Sequence, residues 1–250
     1  MGIINSFNPT VHSGLDISRG LVDGQSNGNK FGRNTSVGTT EEVIWDHGGN
    51  YPFLLAPITL DISSSSADDE NPGTGAWNLV LTGLDGDLNP KVQTINLLGK
   101  VKFETEEFYR LHRMYARQDG TGLAVGGANV GTITAVNHGG ANVLAKILPT
   151  IGQTQMCVYT VPAGYTMYVT QIFSNCMKRD DVIVMFKYRN ALVNGAFSAK
   201  QVTGRYQNGG AEMFACPFSV PEKTDVVMTA VAATSGQDVN ARWEYILVAN

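Results

Sequence analysis

At 250 residues, 43% of them hydrophobic, the chain has enough apolar side chain for one large or two small β-domains with buried cores. Charged residues are only 16% and the net charge is −4 without a basic tract, so no nucleic-acid partner is expected. No apolar run approaches the length of a membrane span, so no membrane partner is expected either.

Residues 1–40 carry little hydrophobic periodicity, and Gly, Asn, Ser and Thr dominate from Gln25 to Thr40. This reads as an extended N-terminal arm. Such a segment is ordered only when something pins it. A neighbouring subunit or another protein is the expected anchor, and an arm folded back on its own domain is the alternative. The opening Met1-Gly2 with Ser6 matches the bare myristoylation pattern only weakly.

From Tyr51 the pattern turns to β. Phe53–Ala56 and Ile58–Ile62 are short strand candidates, bent by Pro52 and Pro57. Residues 63–76 form a loop rich in Ser, Asp, Asn and Gly. Trp77–Thr82 and Val92–Leu97 alternate apolar and polar residues around the turn chemistry of Gly83–Pro90, which predicts a hairpin. Phe108–Arg117 suits helix or strand by spacing, and the surrounding hairpins favour strand. Val130–Val136 and Asn142–Leu148 predict a second hairpin around His138-Gly139-Gly140.

Beyond residue 150 the style repeats, with strands over Gln155–Tyr159, Thr166–Ser174, Val182–Tyr188, Ala211–Phe218, Asp225–Ala232 and Ala241–Val248. The expected fold is all-β, a β-sandwich or jelly roll with an extended N-terminal arm. Its organisation reads as arm 1–40, a first β-rich half 41–150 and a second half 151–250, forming one or two sandwiches.

Catalytic patterns are missing from the sequence. Ser63–Ser66 lacks a GxSxG elbow, and His12, His47, His112 and His138 make no metal-ligand spacing. Asp85-Gly86-Asp87 resembles the start of a calcium loop without EF-hand spacing, so a solvated turn is the expected reading and a structural Ca²⁺ the lesser one. No other cofactor is implied, and the chain is read as no enzyme. Cys157, Cys176 and Cys216 lack CxxC spacing and read as small buried hydrophobes, with a Cys157–Cys176 bridge left open. Trp45, Trp77 and Trp243 are the residues that could stack on a sugar, although alternation places Trp77 and Trp243 in the core.

One series of short motifs remains. Lys30-Phe31-Gly32-Arg33-Asn34 is followed by Glu42-Val43-Ile44-Trp45-Asp46-His47-Gly48-Gly49, Ser63-Ser64-Ser65-Ser66-Ala67-Asp68-Asp69, Gly73-Thr74-Gly75-Ala76 and Gly83-Leu84-Asp85. Arg110-Leu111-His112-Arg113, Asn129-Val130-Gly131-Thr132-Ile133 and Tyr159–Gly164 follow in turn. In this order the motifs, spread over roughly residues 15 to 190, resemble a family of uncharacterised virion structural proteins of tailed bacteriophages. His112 and Leu111 depart slightly from the family's strand pattern. The resemblance implies a virion component made in the host cytoplasm. It would assemble as a homo-oligomer, with a trimer expected, and with major capsid or tail proteins. A head decoration or vertex role is expected, and a tail- or fibre-associated receptor- or glycan-binding role is the alternative. Lys30, Phe31, Arg33, Trp45, Asp46, Arg110 and Arg113 are the candidate assembly residues.

Overall fold

Alternating side chains build almost every element of this chain, which was described from a computed structural model over residues 13–116, 126–178, 181–193, 195–205 and 209–250. A six-residue helix α1 (Ser13–Ser18) precedes β1 (Gln25–Val37) and the short β2 (Glu42–Val43). Seven strands follow: β3 (Leu60–Ser64), β4 (Asn78–Leu84), β5 (Pro90–Asn96), β6 (Phe103–Glu104), β7 (Arg110–Ala116), β8 (Ile133–Asn137) and β9 (Val143–Ile147). The last seven are β10 (Val158–Thr160), β11 (Tyr165–Cys176), β12 (Val182–Asn190), β13 (Ser198–Arg205), β14 (Gly209–Val220), β15 (Thr224–Ala232) and β16 (Gln237–Ala249).

Eight of these strands form a jelly roll. Taking β1 and β10–β16 in chain order, the first pairs with the last (β1–β16), the second with the seventh (β10–β15), the third with the sixth (β11–β14) and the fourth with the fifth (β12–β13). The β16–β11 and β15–β12 pairings complete two antiparallel sheets, β1-β16-β11-β14 and β10-β15-β12-β13, with β2 added beside β15. This wrapping is the double Greek key of jelly-roll domains. Its core is continuous between the sheets and includes Phe186 and Trp243, whose rings meet edge-on at 5.5 Å. β12 shows why the sequence chooses strand: Val182, Val184 and Phe186 are buried while Ile183, Met185 and Lys187 are only partly covered.

The chain between β2 and β10 is a second sandwich inserted into the jelly roll. Its sheets are β6-β3-β8-β9 and β5-β4-β7, closed over Leu60, Ile62, Leu79, Leu81, Phe108 and Ile133. The expected hairpins exist: β4 pairs with β5 from Asn78↔Asn96 to Leu84↔Pro90, and β8 pairs with β9. Within Phe108–Arg117 the strand is β7, Arg110–Ala116; Phe108 makes only an isolated bridge to Ile58, and Arg117 lies outside the described residues.

Three expectations change. Residues 25–37 of the anticipated arm are extended, but their anchor is the chain's own β16, from Gln25↔Val248 to Val37↔Gln237. The second half therefore draws its first strand from the N-terminal segment, and the first half is an insertion within it; residues 1–12, with the Met1-Gly2 pattern, lie outside the described residues. Phe53–Ala56 forms no regular strand, since prolines at 52 and 57 supply no backbone donors. Ser198–Arg205, with Val202 its one large apolar residue, is a strand that the hydrophobic pattern misses.

Candidate functional site

The motifs that carry the resemblance converge on three internal structures, each held by close backbone approach or a buried carboxylate. The first surrounds β1. A Cβ on Gly32 would sit 2.6 Å from the Cys157 nitrogen and closer still to the Ile44 carbonyl, so only glycine lets β1 pass. The Glu42 carboxylate accepts from Gly38 N (2.7 Å), Gly49 N (2.7 Å) and Asn34 Nδ2 (2.9 Å). Gly48 and Gly49 take φ of +77° and +68°, which folds the chain back so that Trp45 Nε1 donates to Gly49 O at 3.2 Å. Trp45 is 1% exposed and packs edge-on against Tyr51.

The second is centred on Asp69, which is fully buried. Its two oxygens accept from Ser64 Oγ (2.5 Å), Ala76 N (3.0 Å), Val130 N (2.8 Å) and Gly131 N (2.9 Å). One carboxylate thus ties the serine-rich motif, the Gly73–Ala76 motif and the Asn129–Ile133 motif together. Asn129 continues the network, with Nδ2 donating to Gly131 O and Leu148 O and Oδ1 accepting from Gly152 N. At the β4–β5 turn, Asp85 Oδ1 accepts from Asp87 N and Asn89 N, so this carboxylate caps the turn that resembled a calcium loop.

The third is the joint between insert and jelly roll. Arg110 on β7 donates through Nε to Asp225 Oδ1 (2.9 Å) and through Nη2 to Asp225 Oδ2 (3.1 Å), both side chains being almost wholly buried. Arg110 Nη1 also donates to Leu54 O (2.7 Å). Asp225, on β15, accepts Thr160 Oγ1 (2.6 Å) and Arg189 Nε (3.3 Å) as well. His112 Nε2 accepts from Thr160 N at 3.0 Å, which fixes an imidazole unprotonated at that atom. Burial, and then the charges of Lys30 and Arg110, hold its pKa well below the usual value. Lys30 reaches across from β1 and donates to the His112 carbonyl. Burial first, and repulsion from Arg113 second, lower the Lys30 pKa to about 7.

The candidate assembly residues divide accordingly. Lys30, Trp45 and Arg110 are buried within the chain, so their contacts are intramolecular. Asp46 is half-buried: its N–H donates to Gln155 O and its Oδ2 accepts from Gln155 N, while burial raises its pKa to about 6. Phe31, Arg33 and Arg113 lie at the surface. Arg33 makes a two-point pair with Asp238 (2.9 and 2.6 Å), and Arg113 sits 5.6 Å from the Phe31 ring. Trp45 and Trp243 are core, whereas Trp77, expected in the core, is only partly buried, with Nε1 donating to Gly73 O. All three cysteines are free; Cys157 and Cys176 are buried, but Cys216 is exposed. Sequence reasoning missed Asp225, whose partners come from strands distant in the chain and leave no local pattern.

Two openings stand out beside these networks. A groove of about 1550 Å³ runs between the insert and the jelly roll, lined by residues such as Asn27, Lys91, Arg113 and Tyr115. A smaller hollow of about 480 Å³ lies on the outer face of β1, β16 and β11.

No protein-family model matches the sequence, and no curated protein matches it. Among solved structures, that of the infectious bursal disease virus Gx strain aligns over 90% of this chain and 70% of its own, at 10% identity and a TM-score of 0.25. The crystal structure of the infectious bursal disease virus VP2 subviral particle aligns over 91% and 73%, at 10% identity and a TM-score of 0.22. Likenesses this distant carry no argument, so the functional reading rests on the geometry of the chain itself.

Proposed function

We propose that this chain is a non-enzymatic structural protein of a tailed-bacteriophage particle, in which the jelly roll is the assembling base and the inserted sandwich the displayed part. The observation that carries the reading is the strand order, first with last through fourth with fifth, of a complete jelly roll. That closure leaves few free edges and is used by viral capsid and lectin domains. The order of motifs supports the phage family, and their use as internal fasteners suits a rigid building block. Strands β13 and β14 lie at the sheet edges, bridged by Gln201 Nε2 donating to Glu212 Oε2, and they expose Val202 and Met213. This edge is the proposed contact between copies in a homo-oligomer, for which a trimer is the expected stoichiometry. A head decoration or vertex position is the first reading of location.

The test is immunogold labelling of purified virions with mass spectrometry of the same particles. Label on the head supports decoration. Absence from both label and spectra overturns the virion assignment. A tail-associated glycan-binding role is the second reading, favoured by the aromatic and arginine-lined hollow on the jelly roll's outer face.

A further inference from the structure

The outer face of the β1-β16-β11 sheet carries an arrangement that none of the structural networks uses. Arg242 on β16 is the register partner of both Phe31 on β1 and Phe173 on β11, so the three side chains form one cross-strand row. The guanidinium lies 5.5 Å from the Phe173 ring. The carboxylate paired with it, Glu244, is 3.8 Å away, and the two side chains are 51% and 43% exposed. A pair so long and so exposed is held weakly and can open to a competing carboxylate. Arg33, in the next row beside Asn240, differs because Asp238 already holds it at two points. The row therefore presents a planar cation, loosely paired with Glu244, beside the Phe173 ring and in register with Phe31, whose ring Arg113 also approaches.

Gln155 completes the hollow. Its backbone N–H and carbonyl are both taken by Asp46, yet its side-chain Oε1 is buried without a partner among the described residues. A buried acceptor left unmet is destabilising, and a donor brought by a ligand would offset that. Gln155, Phe31, Phe173, Asn240 and Arg242 line the hollow, and its volume of about 480 Å³ falls in the range of small-molecule sites, roughly 300–1,000 Å³.

We infer that this face binds a carboxylate-bearing sugar, such as a uronic acid unit of a surface polysaccharide. A guanidinium fork matches a carboxylate at two points. The phenyl rings cover the apolar C–H face of a pyranose. The Asn240 amide can exchange hydrogen bonds with ring hydroxyls, and a hydroxyl can also serve Gln155 Oε1, a donor that acetate lacks. A neutral sugar would leave Arg242 unmatched, and phosphate or acetate would leave the rings uncovered. The inference concerns the chain's own surface and stands apart from where on a particle it is carried.

Isothermal titration of the full chain with trigalacturonate, maltotriose and sodium acetate tests it. Trigalacturonate is expected to bind at least tenfold more tightly than maltotriose or acetate. Arg242→Gln is expected to lose at least tenfold in trigalacturonate affinity with an unchanged melting temperature, since the side chain is exposed. Arg242→Lys, which keeps the charge but not the fork, should recover part of that loss. Equal binding of the two sugars, an acetate affinity equal to that of trigalacturonate, unaltered binding by Arg242→Gln, or no trigalacturonate binding at millimolar concentration would each overturn the assignment.

Discussion

The two sandwiches of this chain are built in opposite ways. The insert draws all its strands from one stretch, β3 to β9: β4 with β5 and β8 with β9 are hairpins closed by short turns, and its longest-range pairing, β3 with β8, stays within Leu60–Asn137. The jelly roll is assembled from distant ones, and its first sheet is held by β1 against β16, where the Arg33–Asp238 pair joins residues 205 positions apart. Local pairing costs little loop entropy, whereas a first-with-last pairing requires almost the whole chain to be in place. The insert is therefore the part expected to form early, and the jelly roll the part whose completion depends on both ends of the chain.

The sharpest way to break this comparison is to delete residues 1–40. The deletion removes β1, exposes the length of β16 and uncovers Trp243 and Tyr245, so the jelly roll should lose its cooperative thermal transition while the insert keeps native hydrogen-exchange protection. Retention of a single wild-type transition would show that β1 is dispensable and that the segment acts only as an arm.

The next largest effect belongs to the joint. Replacing Arg110 by Met leaves Asp225 buried with Arg189 and Thr160 but without its two-point partner. Removing one member of a buried pair costs about 3–5 kcal/mol. Chemical denaturation of Arg110→Met should show that loss, and it should separate the unfolding of the two sandwiches into resolvable steps.

A smaller change follows from Gly32→Ala, whose Cβ must displace the backbone of Ile44 and Cys157. Overpacking of this kind costs about 1–3 kcal/mol. The same denaturation measurement checks it, with Gly38→Ala, where the nearest atom to a Cβ is a Glu42 side-chain oxygen at 3.5 Å, as a tolerated control.

Lys30 gives the comparison a pH dependence. Its folded pKa of about 7 lies below the ordinary 10.5, so between these values the unfolded chain holds a proton that the folded chain has released. Stability then rises with pH across that window, and below it the full penalty of burying the ammonium remains. Subtracting the melting-temperature profile of Lys30→Met from that of the wild type should leave an upward slope from pH 7 to 10. A flat difference would mean that the ammonium is not buried in the joint. The least effect is expected from Arg33→Ala, because its side chain is 39% exposed and such pairs contribute about 1 kcal/mol or less.

The β-rich character and most strands were legible from alternation alone, because a sheet buried on one face writes its geometry into every second residue. β12 and the β4–β5 hairpin are plain cases. β1 was not legible, and the reason is specific. Its inward positions are Gly28, Lys30, Gly32 and Asn34, and they meet the Tyr245 ring, the His112 carbonyl, the Ile44 and Cys157 backbone and the Glu42 carboxylate rather than an apolar core. A strand that faces backbone and polar groups carries no hydrophobic period. β13 escaped for a related reason, since an edge strand of Ser, Ala, Lys, Gln, Thr, Gly and Arg around Val202 reads as a loop.

The candidate site divides along the same line. Motif order singled out Lys30, Phe31, Arg33, Trp45, Asp46, Arg110 and Arg113, and these residues do cluster around β1, the joint and the adjoining sheet face. Their roles were not written locally. Lys30 and Arg110 became internal fasteners only because β7 brings the His112 carbonyl to Lys30 and β15 brings Asp225 to Arg110. Phe31 acquired its neighbours Arg242 and Phe173 only when β16 came between β1 and β11. By itself the sequence determined the residue types, the alternation that makes strands and the turns that join them, since these depend on near neighbours. Which strand meets which, and therefore which charges are buried in pairs and which remain open to a ligand, was decided by the tertiary structure, because pairing between the ends of a chain depends on every element folded between them.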